Sequence, residues 1–110
     1  MYIREWRGRA KQSDAARYPE YFRKEFTSQL RSAPGFQGGS LSQREVGDQV
    51  EFLVLTRWKS MDAIREFTGS VAENAVMDPG AMATLDAYDH AVRHYEVLED
   101  LWQPRLPTEE

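Results

Sequence analysis

The sequence predicts an α+β domain of ferredoxin-like arrangement: a four-stranded antiparallel sheet with its helices on one face. Three observations carry this. Stretches of period two and period 3.6 alternate in the order strand, helix, strand, strand, helix, helix, strand. Gly47-Asp48 joins the second and third strands as a two-residue hairpin turn. The third strand, Gln49 to Trp58, is apolar on both faces, with Val50, Phe52, Val54 and Trp58 on one side and Leu53 and Leu55 on the other. Helices cover one face of such a sheet, so the second face is expected to be covered by another copy of the chain. A homodimer whose two sheets close into a shared barrel follows.

The first strand runs from Tyr2 to Ala10, with Tyr2, Arg4, Trp6, Gly8 and Ala10 on one face and Ile3, Glu5, Arg7 and Arg9 on the other. Ser13 or Asp14 is the expected cap of the next helix. There Tyr18, Phe22, Phe26 and Leu30 form an apolar stripe, and Pro19 either kinks the helix or sits near its true start. Phe36 to Val46 is the second strand, weakened at Gly38-Gly39. The short turn sets Val46 opposite Gln49, Arg44 opposite Glu51 and Leu41 opposite Val54, and the Arg44–Glu51 pair favours that register. Ser60 caps a helix carrying Met61, Ile64 and Phe67, which Gly69 ends. Val71 to Met77 reads as an irregular helical turn. Asp78-Pro79 opens a helix with Met82, Leu85 and Tyr88 on its buried side. His90 to Leu98 is the last strand. The domain therefore spans residues 1–98, and residues 99–110 form a tail that is either disordered or docked on a neighbour such as the partner subunit, with Trp102 favouring docking.

Composition narrows the function. The chain has 110 residues, enough for one core, and a net charge of -4. A weakly acidic domain whose Arg4, Arg7 and Arg9 split between two strand faces is a poor nucleic-acid binder. With no cysteine, disulfide and thiolate chemistry are excluded. No stretch reads as a signal peptide or membrane span, so a cytoplasmic protein without membrane partners is expected.

Several pieces, in order, resemble the antibiotic biosynthesis monooxygenase (ABM) domain family of the dimeric α+β barrel superfamily. They are Trp6-Arg7-Gly8, Ala33-Pro34-Gly35-Phe36, Val50 to Val54 running into Thr56-Arg57-Trp58-Lys59-Ser60, Asp62 to Phe67, and Arg93 to Val97. The resemblance implies cofactor-independent oxidation of a small aromatic or quinone-type substrate, with molecular oxygen as co-substrate and the pocket between sheet and helices. Two other readings accompany it. One is a non-catalytic dimeric protein binding a small hydrophobic ligand in the same pocket. The other is a haem binder or degrader. The haem branch uses an Asn on the first strand and a Trp and a His in the second helical region. Here the first strand offers Trp6 and Arg7, and Met61 to Asp89 contains neither Trp nor His.

Cofactor-free oxygenation needs a flat apolar slot, a group favouring the enolate, and exclusion of water. Trp6 and Trp58 are the candidate walls, and Tyr18, Tyr21, Tyr88 and Asn74 candidate lining. The competing reading for the aromatics is core packing. His94 is the candidate proton carrier, against a structural histidine. Arg7 and Arg57 are candidate anion stabilisers, against pairing with Glu5, Glu51 or Glu96. No metal site is expected, since His90 and His94 on one strand stand about 13 Å apart.

Overall fold

The computed structural model describes residues 1–69 and 71–101. Strand β1 (Tyr2–Lys11) lies in the middle of the sheet. It pairs antiparallel with β3 (Gln49–Trp58) from Tyr2 opposite Trp58 to Lys11 opposite Gln49. Strand β2 (Phe36–Val46) flanks β3, with Arg44 opposite Glu51, Val46 opposite Gln49 and Leu41 opposite Val54, the register expected from the turn. Gly47 supplies that turn's positive φ of 62°. Arg44 Nε donates to Glu51 Oε1 at 2.7 Å. The hairpin is irregular between Phe36 and Gly38, near the expected weak point.

The far edge of β1 departs from expectation. In place of one strand over His90–Leu98, two short strands pair with β1: β4 (Ala87–Tyr88) beside Gly8–Arg9 and β5 (Arg93–Glu96) beside Tyr2–Glu5. The intervening backbone changes partner. Ala75 N–H donates to His90 O at 3.0 Å, and Val92 N–H to Glu73 O at 2.8 Å. Val71 to Met77, expected to be an irregular helical turn, makes one turn at Ala72–Glu73, with Asn74 N–H donating to Val71 O at 3.3 Å, and is otherwise irregular chain stitched to His90–Val92.

The helical layer begins with a 3₁₀ turn, Gln12–Asp14, followed by α1 (Arg17–Tyr21), a π-helical turn (Phe22–Phe26) and α2 (Thr27–Ser32). The expected Ser13 or Asp14 cap is absent: α1 starts without a side-chain cap. Pro19 falls within the first turn, where its missing N–H has no helical acceptor to lose, so no kink is needed. The π turn has a readable cause. Residues four apart drift about 40° per step around an α-helix, and the wider turn brings the Tyr18, Phe22, Phe26, Leu30 stripe back towards the sheet. Helix α3 (Met61–Thr68) is capped by Ser60 Oγ accepting from Ala63 N–H at 3.1 Å. Helix α4 (Pro79–Met82) is capped by Asp78 Oδ1 accepting from Ala81 N–H at 2.9 Å. It stops at Met82 because Asp86 and Asp89 N–H groups already donate to Arg9 and Arg7 carbonyls. Tyr88 therefore lies on β4. No described helix is long and apolar enough to cross a membrane.

The core sits between the helices and one sheet face, where Trp6, Ala10, Val50, Phe52, Val54 and Trp58 are buried. On the other face Ile3, Leu53 and Leu55 are half-buried among ion pairs. There Glu51 holds Arg9 and Arg44, and Glu5 holds Arg7 and Arg93.

Gly8 is where β1 touches this core most tightly. A Cβ there would stand 2.7 Å from Cη2 of Trp6 and 3.2 Å from Cδ1 of Leu85. Gly8→Ala is expected to cost about 1–3 kcal/mol, the range for overpacking. An unchanged urea midpoint would show that the indole moves freely.

Candidate functional site

An apolar cavity of about 40 Å³ lies between the buried sheet face and the helical layer. Trp6 and Val54 form its floor, and Tyr18, Tyr21 and Phe26 its helical wall. Val76, Met77, Ala81 and Val92 close it from the connecting segment, α4 and the run before β5. Tyr18 anchors the aromatic wall, with its ring centroid 5.5 Å from Trp6 and 5.3 Å from Phe52. The space admits a few waters or a diatomic gas. A fused aromatic enters only by displacing a wall.

One charged group lines this space. Alternation places Arg4 on the Trp6 face of β1, where it is 6% exposed. Its Nη1 donates to Ala72 O at 2.7 Å and to His94 Nε2 at 2.9 Å, and its Nη2 to Asn74 O at 2.7 Å. Burial lowers its pKa to about 10, an effect partly offset by Glu73, so it remains a cation at neutral pH. The 2.9 Å contact defines the His94 tautomer. An arginine only donates, so His94 Nε2 accepts and the ring proton sits on Nδ1. Burial and the charge of Arg4 hold the imidazole below its usual pKa. Across the cavity Tyr21 Oη donates to Asp78 Oδ2 at 2.7 Å. Burial, then this bond, pushes the phenol up, while Ala81 N–H and Tyr21 hold Asp78 down. The Tyr18 hydroxyl has no hydrogen-bond partner among the described residues.

The residues singled out from sequence divide between the two sheet faces. Trp6 lines the cavity, its Nε1 donating to Asp89 O at 2.9 Å. His94 stands behind Arg4. Trp58 is fully buried core, packed on Phe36 and Phe67, with Nε1 bonded to Thr56 Oγ1 at 2.8 Å. Asn74 contributes its backbone carbonyl, and its side chain is exposed. Arg7 and Arg57 lie on the opposite face, paired with Glu5 and Asp100 respectively. Tyr88 lines a separate open groove with Arg7, Arg9 and Glu51. The polar side-chain groups lining the cavity belong to Arg4, Trp6, Tyr18 and Tyr21, and in the sequence Arg4 is one of three strand arginines. Its shared parity with Trp6 was the available signal. Trp102 lies outside the described residues. No cluster able to hold a metal ion occurs among the described residues.

A ferredoxin-like α+β domain with an apolar cavity between sheet and helices is the class this geometry defines. The antibiotic biosynthesis monooxygenase family model matches residues 1–93, and the chain belongs to that family. Curated protein sequences give no significant match. Among solved structures, one assigned as an antibiotic biosynthesis monooxygenase from Deinococcus radiodurans is 17% identical, with TM-score 0.64, covering 96% of this chain and 100% of the other. SnoaB, a cofactor-independent oxygenase from Streptomyces nogalater, is 14% identical, with TM-score 0.58, covering 93% and 98%. A haem-degrading protein from Mycobacterium tuberculosis is 19% identical, with TM-score 0.56, covering 93% and 100%. At these identities the likeness establishes the fold. The residues here do not fit a haem: among the described residues no histidine lines the cavity, and His94 Nε2 is engaged by Arg4.

The His94 environment predicts a pH signature. Its folded pKa lies below the free value of 6.5, so the unfolded chain binds the proton more readily. Its contribution to stability is present above that value and is lost as pH falls through and below it. Arg4 and Arg65 oppose protonation, and Glu73 favours it. The unfolding midpoint is expected to drop from pH 7.5 to pH 5, with a shallower drop in His94→Gln. Equal slopes in the two proteins would refute the assignment.

Proposed function

We propose that the protein oxidises a small aromatic or quinone-type substrate with molecular oxygen in the cavity between sheet and helices. The observation that carries this is the aromatic lining of the cavity, Trp6, Tyr18, Tyr21 and Phe26 beside one buried cation, and the substrate is seated by displacing part of that wall. A phenol flanking a methylene is electron-rich enough, once ionised, to reduce oxygen directly. The methylene carbon becomes a carbonyl by taking one oxygen atom. The second oxygen atom leaves as water with the two hydrogens lost from that carbon, so the substrate supplies every electron. The protein's share is to stabilise negative charge with Arg4 and to keep water out with the aromatic wall. His94 positions Arg4, because its Nε2 is not free to accept a substrate proton.

That occupied nitrogen also favours a second reading, binding without turnover. Oxygen consumption with an anthrone-type phenol separates the two. Uptake is expected, with a fall of at least about tenfold in Ala81→Leu, whose added side chain fills the cavity. Tight binding with no uptake for any phenol tested would leave the binding reading.

We also infer a homodimer formed through the sheet face opposite the helices. Ile3, Leu53 and Leu55 there are half-buried apolar residues without a covering layer among the described residues. Sedimentation at micromolar concentration is expected to give twice the 12.7 kDa chain mass. Leu55→Arg is expected to give the single mass, and a monomeric wild-type chain would overturn the inference.

A further inference from the structure

A cavity of about 40 Å³ holds a fused ring only if one of its walls yields, and the walls are not equally fastened. Trp6 and Val54 stand on β1 and β3, which pair with each other from end to end. The ring of Tyr18 packs on Trp6 and Phe52. Val76, Met77 and Ala81 stand on residues 76–85, whose one regular element is the four-residue α4. Two backbone bonds bound that run, Ala75 N–H to His90 O at 3.0 Å and Asp86 N–H to Arg9 O at 2.8 Å. Between them the backbone bonds are internal, Met82 N–H to Asp78 O and Ala83 N–H to Pro79 O among them. Among the described residues a single hydrogen bond joins residues 76–85 to the rest of the protein, from Tyr21 Oη to Asp78 Oδ2 at 2.7 Å. The other oxygen of Asp78 is spent on its own helix, capping Ala81 N–H. Gly80 lies against the same ring, and a Cβ there would stand 3.3 Å from Cε1 of Tyr21. Ala81 is the one buried residue of α4, and its side chain is a single methyl group.

We propose that residues 76–85 are the movable wall of the cavity, turning about Ala75 and Asp86 and latched by the Tyr21–Asp78 hydrogen bond. This rests on the reading of the cavity as an aromatic-binding site and adds which part of the site gives way and what holds it shut. Seating a ring lifts Val76, Met77 and Ala81 away from Trp6 and parts Tyr21 from Asp78. The bound form then lacks a bond that the free form has, so the latch works against binding and its removal favours the bound form. A helix of four residues does not persist without the surface beneath it, so the α4 amides open to solvent whenever the wall lifts.

Tyr21→Phe keeps the ring and removes the latch, and two measurements read the result. In hydrogen exchange, the Met82 and Ala83 amides are expected to exchange about fivefold faster than in the native protein, the effect of one hydrogen bond, with the β1 and β3 amides unchanged. Unchanged exchange over residues 76–85, or a rise spread evenly along the chain, would overturn the proposal. In equilibrium binding followed by tryptophan fluorescence, uncharged 1,4-naphthoquinone is expected to bind Tyr21→Phe about fivefold more tightly than the native protein. Equal or weaker binding would refute the latch. Tyr18→Phe is the control, since it removes from the same wall a hydroxyl without a hydrogen-bond partner among the described residues. It is expected to change neither measurement, and a matching gain in affinity there would assign the effect to wall polarity and sink the latch. Faster exchange in Tyr21→Phe with no binding of the quinone by either protein would keep the movable wall and remove the aromatic reading of the cavity.

Discussion

The guanidinium of Arg4 is where three separate parts of the chain meet. It leaves β1, bonds Ala72 and Asn74 of the segment that closes the cavity, and reaches His94 on β5. That segment has little regular structure of its own. Its other ties are the backbone bonds linking Glu73 and Ala75 to Val92 and His90. Without a cation at this position, two carbonyls would point into an apolar space with no donor, a cost of about 1–3 kcal/mol each. The placement of that segment over the cavity therefore depends on burying a charge. The charge also gives the cavity its chemical character.

The fold was legible where local chemistry and long-range pairing agree. Gly47 has one conformation available to a two-residue turn, and from it the pairing of Arg44 with Glu51 follows by counting. Ser60 and Asp78 cap the helices they were expected to cap, because a side-chain oxygen before a helical run has few better uses. The last strand departs from its sequence pattern for the opposite reason. Val92, His94, Glu96 and Leu98 alternate as one strand would, and nothing local reveals that His90 to Val92 pairs with residues 73–75 in place of β1. That choice is made by tertiary partners. The helix from Asp78 ends at Met82, short of its apolar periodicity, on the same account.

The site was half legible. Period two places Arg4 and Trp6 on one face and Arg7 on the other. Position alone did not say which arginine would be desolvated. Arg7 and Arg57 find carboxylates in Glu5 and Asp100, one a near neighbour and the other at the end of the described chain. Trp58, attractive as a wall, satisfies its indole N–H on Thr56 two residues earlier and so completes the core without reaching the cavity.

The divided strand at the edge of β1 has a consequence for solubility. A long bare strand edge is a template on which other chains stack, and proteins with exposed edges are prone to it. Here that edge is taken by Ala87–Tyr88 and Arg93–Glu96, two pieces too short and too offset to recruit a third strand in register. The opposite edge, β2, carries an irregularity at Gly38 and the charges of Arg44 and Glu45. Both rims of the sheet are thus interrupted or charged, features that work against edge-to-edge stacking.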